Sequence, residues 1–103
     1  MSLSNFRSYQ LATTLYRSCQ TLVLPHYVKD QLLRAALSIP LNLGEGSGKT
    51  SPKDRCRFYQ IALGSLREVQ VILDLHGVDS LRQQADHTGA AIFCLVRALQ
   101  KEG

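Results

Sequence analysis

Apolar residues recur three and four positions apart in four successive stretches of this 103-residue chain, and no strand-like alternation of apolar and polar residues competes with that period. A period near 3.6 gathers apolar side chains on one face of an α-helix, whereas a half-buried strand needs a period of two. The chain is therefore predicted to be all-α. Four apolar faces on four helices bury one another when the helices pack side by side, and short connections make successive helices antiparallel. The expected fold is an up-down-up-down four-helix bundle, one domain spanning residues 1–103.

The first stretch is predicted from about Ser4 to Val23, with Ser4 as cap. Leu11, Leu15, Cys19 and Leu22 form its seam, widened by Ala12, Tyr16 and Val23. Pro25 disfavours helical geometry at Leu24 and ends it. The second runs from about Val28 to Glu45, with Leu32, Ala36, Ile39 and Leu43 in the seam and Leu33, Leu37 and Leu41 flanking. Pro40 removes one backbone hydrogen bond and crowds the carbonyl of Ala36, but the apolar period passes straight through it, so a kinked, continuous helix is expected. Gly44, Gly46 and Gly48 are expected to supply a left-handed helix end.

Ser51-Pro52-Lys53-Asp54 opens the third helix. Serine stands at the N-cap, proline at the first helical position, and an acid three residues after the serine. Tyr59, Ala62, Leu66, Val69 and Leu73 then alternate three and four apart up to about His76, and Gly77 stops the helix. Asp79 or Ser80 is expected to cap the fourth, whose seam is Leu81, Ala85, Thr88, Ile92, Leu95 and Leu99. Helices of about 18 to 24 residues would run roughly 27 to 36 Å.

Catalytic and metal-binding patterns fail on inspection. Gly44–Thr50 resembles a phosphate-binding loop, but Leu43 stands where the first glycine belongs, and the segment follows a helix instead of a strand. Val69–Asp74 imitates an apolar run ending in a magnesium-binding acid, yet its place on the third helix makes Asp74 a solvated residue. A di-iron bundle needs Glu-x-x-His pairs, and neither Glu45 nor Glu68 has a histidine three residues on. His26, His76 and His87 fall at helix ends or in polar stretches. Cys19, Cys56 and Cys94 are odd in number and widely spaced, which fits neither a disulfide framework nor a zinc site. No enzyme activity, cofactor or metal is expected. No apolar stretch is long enough to cross a bilayer, the first residues lack a leader pattern, and a cytoplasmic protein is expected.

Two polar sets remain. Lys49, Lys53, Arg55 and Arg57 fall within nine positions against one acid, Asp54, in a chain of net charge +4. They straddle a helix start, whose free N–H groups and partial positive charge favour anions. This is a candidate phosphate-binding patch; the bland alternative is a solvated, solubilising loop. Arg34, Ser38, Asn42 and Glu45 share one stripe of the second helix, with Arg67 and Glu68 on the third. They form a candidate polar network, in which Arg34 is expected to pair with Glu45 or Glu68, or else a face turned to solvent or to another subunit.

The run Gln31-Leu-Leu-Arg34-Ala-Ala-Leu-Ser38-Ile-Pro40-Leu-Asn42-Leu-Gly-Glu45-Gly46 resembles the signature of the four-helix-bundle proteins encoded in intervening sequences of large-subunit ribosomal RNA genes. Arg57-Phe58-Tyr59-Gln60-Ile61-Ala62-Leu63-Gly64-Ser65-Leu66-Arg67-Glu68 resembles that family's second block. Gly44 replaces the usual alanine and Leu43 the usual isoleucine. Asp54, Arg55 and Cys56 replace acidic and aromatic residues, which makes this copy more basic. The resemblance implies a ring-like homopentamer and a relationship to the accessory variability determinant of diversity-generating retroelements, which binds nucleic acid and a reverse transcriptase. Five copies of a +4 chain would carry about +20 and attract nucleic acid at low salt.

The expected function is a non-enzymatic, homo-oligomeric protein that binds RNA or DNA phosphates through Lys49, Lys53, Arg55 and Arg57, with Arg34 and Arg67 as further contacts. The alternative is an adaptor that docks a protein partner such as a reverse transcriptase and has no direct nucleic-acid role.

Overall fold

The computed structural model describes residues 2–102, with Ser4 and Glu102 described in backbone only. Among these residues the chain is all-α. A short 3-10 turn at Leu3–Asn5 precedes α1 (Arg7–Gln20), α2 (His26–Ser47), α3 (Pro52–Leu75) and α4 (Arg82–Glu102). Each helix packs on two others in the order α1, α2, α3, α4 and back to α1. The cross-contacts fix the directions. The Lys29 ammonium reaches the carbonyls of Gln20 and Leu22, while Gly44 lies against Leu3 and Tyr9. Ser38 meets Ser65 while Gly46 meets Tyr59. Leu66 meets Gly89 while Gln70 meets Asp86. In each pair, moving forward on one helix means moving backward on the next, so successive helices are antiparallel.

The predicted seams of α2 and α3 form the core with parts of the other two; in α1 Leu11 and Leu22 are only half-buried, and Ala12 is fully buried. Leu15 and Cys19, Leu32, Ile39 and Leu43, Leu66 and Val69, and Thr88 and Ile92 are fully buried. All five seam residues of α3 and all four of α2 are buried. In α4 the seam drifts: Val96 is buried, whereas Leu95 is only partly so, because a straight helix drifts from a strict 3.5 repeat. Val23 belongs to no seam. It lies past the end of α1 and is 99 % exposed. The expected cap at Ser4 rests on a side chain outside those described. The N-cap position of α1 falls at Phe6, which makes no side-chain cap bond.

Pro40 lies inside a continuous α2 and is buried. The helix ends within the glycine segment that follows, at Ser47, but without the expected left-handed geometry. Gly44 and Gly46 are helical, and the C-cap residue Gly48 has right-handed geometry at φ −86°. Gly77 alone among the described residues takes positive φ, at 66°. There the Gly77 N–H donates to the carbonyl of Asp74 and the Val78 N–H to that of Leu73, at 3.1 and 2.9 Å. This pair of bonds closes a helix end on a left-handed residue. Ser51 caps α3 as expected, its hydroxyl accepting from the Asp54 N–H at 3.1 Å. Of Asp79 and Ser80, the two residues expected to cap α4, Asp79 takes the Arg82 guanidinium at 2.6 Å.

Candidate nucleic-acid interface

The connection from α2 to α3 is short and tied down by its own backbone. Ser47 donates its hydroxyl to the Gly44 carbonyl at 2.8 Å, and the N–H groups of Gly48 and Lys49 donate to the carbonyls of Glu45 and Gly46. Gly46 sets how closely the two helices meet. A β-carbon there would lie 2.7 Å from Cε1 of Tyr59 and 3.0 Å from Cβ of Phe58. The close approach brings Lys49, at the end of one helix, beside the first turns of the next.

Phe58, half-buried, organises the basic residues around it. The Lys49 ammonium stands 5.2 Å from its ring centroid and the Arg57 guanidinium 4.5 Å. A cation over an aromatic face is held by the ring quadrupole without losing its charge. Two cations from different elements thus share one ring. Lys53, exposed, lies one helical turn before Arg57. Lys53 and Arg57 also border an open groove of roughly 720 Å³ between the start of α3 and the end of α4, lined in addition by Cys56 and Leu99.

Arg55 does not join this cluster. It stands one turn before Tyr59 on the core-facing side of α3, half-buried, and its Nε is buried with no hydrogen-bond partner among the described residues. Burial pushes the Tyr59 phenol up from its ordinary pKa, and the neighbouring Arg55 charge partly opposes that rise. Arg34 is exposed on α2 and Arg67 lies ten residues beyond Arg57 on α3, about 15 Å along the axis. The Arg67 guanidinium donates to Gln70 at 3.2 Å, and Gln70 donates to Asp86 of α4 at 2.9 Å. The structure thus gathers Lys49, Lys53 and Arg57, and separates Arg55, Arg34 and Arg67 from them.

The polar stripe of α2 is present in part. Asn42 donates to the Ser38 carbonyl at 2.8 Å and to its hydroxyl at 3.0 Å, and the Ser38 hydroxyl meets that of Ser65 at 2.8 Å. Ser65 was not among the expected members. The expected pairing of Arg34 is not formed: among the described residues Arg34, Glu45 and Glu68 are exposed and make no ion pair. Arg34 and Glu45 are three turns apart, about 16 Å along α2. Glu68 sits on the outward side of α3, whereas Ser65 sits on the side that meets α2.

Cys19 is fully buried and its thiol is pushed up to about 11, which removes the thiolate on which cysteine chemistry depends. No three His, Cys, Asp or Glu side chains among the described residues converge as a metal site. No described helix is long and apolar enough to cross a membrane.

A family model described as "23S rRNA-intervening sequence protein" matches residues 5–92. The match covers both signature blocks and the whole of α1, α2 and α3. Nothing among the curated proteins matches the chain.

Proposed function

The chain belongs to the 23S rRNA-intervening sequence protein family, and on that premise we propose that it is a non-enzymatic protein that binds the phosphates of RNA or DNA. The observation that carries the reading is the convergence of Lys49 and Arg57 on Phe58, with Lys53 alongside. Held cations lose less freedom on meeting a phosphate than free ones do. Such contacts give affinity and orientation without reading sequence. The same reading has the chain act as a homo-oligomer, in the ring-like, five-fold form that the family resemblance implies, where repetition of the patch would multiply its weak contacts. It needs no cofactor, and cytoplasmic nucleic acid is its expected partner.

The test is binding to a labelled structured RNA and to duplex DNA across a salt series, with Lys49→Glu/Lys53→Glu as control. Both positions are outside the core, so the control should fold. The expected result is binding that falls steeply with salt and disappears in the control. No binding at low salt would overturn the reading and favour an adaptor that docks a protein such as a reverse transcriptase.

A further inference from the structure

The outward side of α3 carries a second seam, which the bundle does not use. Arg57, Ile61, Gly64, Glu68, Val71 and Leu75 follow one another at spacings of four, three, four, three and four. At about 100° per residue they lie opposite the buried seam of Tyr59, Ala62, Leu66, Val69 and Leu73. The three large apolar residues that α3 exposes, Ile61, Val71 and Leu75, at 43, 55 and 74 %, all fall on it. A heptad-like seam on an open face is the surface that another helix fits.

Gly64 stands near the middle of that seam, and the bundle itself gives no reason for a glycine. A β-carbon at Gly46 would meet Tyr59 at 2.7 Å and one at Gly89 would meet Leu66 at 2.9 Å, but one at Gly64 would meet nothing within 4 Å. Glycine inside an exposed helix costs about 1 kcal/mol relative to alanine. A helix approaching from outside would account for it.

Charge says which helix. We propose that the outward face of α3 pairs with α3 of a second copy, antiparallel about a two-fold axis lying between Ile61 and Gly64. In that register Ile61 of each copy seats on the partner's Gly64, a large residue on the smallest one. Arg57, four residues before Ile61, faces the partner's Glu68, four residues after Gly64, and the symmetry forms this ion pair twice. Neither Arg57 nor Glu68 has an ion-pair partner among the described residues of its own chain. A parallel arrangement would set like charges together. The two-fold contact is self-complementary and distinct from a ring contact, which joins two different faces, so it links copies or rings alike. The mutual seam runs from Arg57 to Glu68, with Val71 and Leu75 beyond it along the partner's first turn; it is a small interface, and association is concentration-dependent.

The inference goes beyond phosphate binding and shares only Arg57 with it. The experiment is light scattering of the full chain over a concentration series, comparing the wild type with Arg57→Glu, Glu68→Arg, their combination, and Gly64→Leu. Each single reversal sets two pairs of like charges against each other and is expected to weaken pairing by about tenfold or more, halving the average mass. The double reversal restores opposite charges and the wild-type mass. Gly64→Leu blocks the partner's Ile61 while its side chain points into open space in the monomer, so pairing is lost and thermal stability rises. Unchanged mass in the single reversals, or no recovery in the double, overturns the pairing. Glu68→Arg lies outside the basic patch, so its RNA binding reports on the phosphate reading separately.

Discussion

A β-carbon added to Gly46 would lie 2.7 Å from Cε1 of Tyr59. Tyr59 is buried and packs at 5.9 Å centroid distance against Phe6, so its ring has little room to yield. The glycine near the end of α2 thus serves close packing between helices, and through it the placement of Lys49 beside Phe58. Gly46→Ala gains the better helix propensity, worth about 0.5–1 kcal/mol, but overpacks a filled site, at about 1–3 kcal/mol. The expected net is destabilisation by about 1–2 kcal/mol, seen as a lowered midpoint in urea unfolding. Gly64→Ala, with open space at its β-carbon, should instead stabilise by about 0.5–1 kcal/mol. The same sign at both positions would refute the distinction.

The hydroxyl pair Ser38–Ser65 is the polar link between α2 and α3, and Asn42 donates to the same Ser38 hydroxyl. Removing one serine leaves its partner partly buried with one bond fewer. Removing both leaves an apolar contact with no hydroxyl stranded at these two positions. A double-mutant cycle of Ser38→Ala and Ser65→Ala should therefore show coupling of about 0.5–1.5 kcal/mol, with the double variant less destabilised than the sum. Strict additivity would mean that the 2.8 Å contact carries no net energy.

Much of this architecture was legible because the apolar period is long and unbroken. The seam of α3 was readable to the residue. Pro40 did not mislead, since Ile39 and Leu43 keep the same face on either side of it. The reading failed where one residue type has two uses. Glycine at 46 can end a helix or admit a neighbour, and the choice depends on Tyr59, thirteen residues away. Asp79 can cap a helix or bind an arginine, and the sequence alone does not show the Arg82 contact. Arg55 groups with its basic neighbours by proximity in sequence, yet extending the α3 seam back four residues from Tyr59 lands on it. Phe58 carried no apolar-seam signal, so its role as the platform for Lys49 and Arg57 emerged only from the packing. Ser65 lies beside the seam residue Leu66, on the side that faces α2, and became identifiable once that neighbour was known.

Cys19 sits at zero exposure and its thiol is raised from 9.0 to about 11. The folded state then holds this proton at pH values where the unfolded chain has released it. Between about pH 9 and pH 11 the unfolded state binds fewer protons, so unfolding becomes progressively easier as pH rises. The contribution is fully present below pH 9 and is lost through that window. Burial also raises Tyr59, which adds to the fall at the upper end. Cys19→Ala should lower stability at neutral pH by opening a small cavity, yet flatten the fall between pH 9 and 11. Denaturant unfolding at pH 7, 9 and 10.5, read as slope instead of absolute stability, separates the two effects. A variant with the wild-type slope would show that Cys19 does not titrate in this range.

Arg55 and Lys53 are two residues apart and should behave oppositely. Lys53 is exposed beside Arg57, whereas the Arg55 Nε is buried. Lys53→Gln should weaken RNA binding and reduce the slope of log K against log salt by about one for each lost phosphate contact, with stability unchanged. Arg55→Gln should leave that slope nearly as it was. Its effect should appear instead at Tyr59. The Arg55 charge lowers the phenol pKa against the rise from burial, so removing it should move Tyr59 further up. Ultraviolet difference titration of tyrosinate, with Tyr59→Phe to identify the transition, reads this directly. If Arg55→Gln reduces the salt slope as much as Lys53→Gln and leaves the Tyr59 transition in place, the arginine reaches out to phosphate and the inward assignment is wrong.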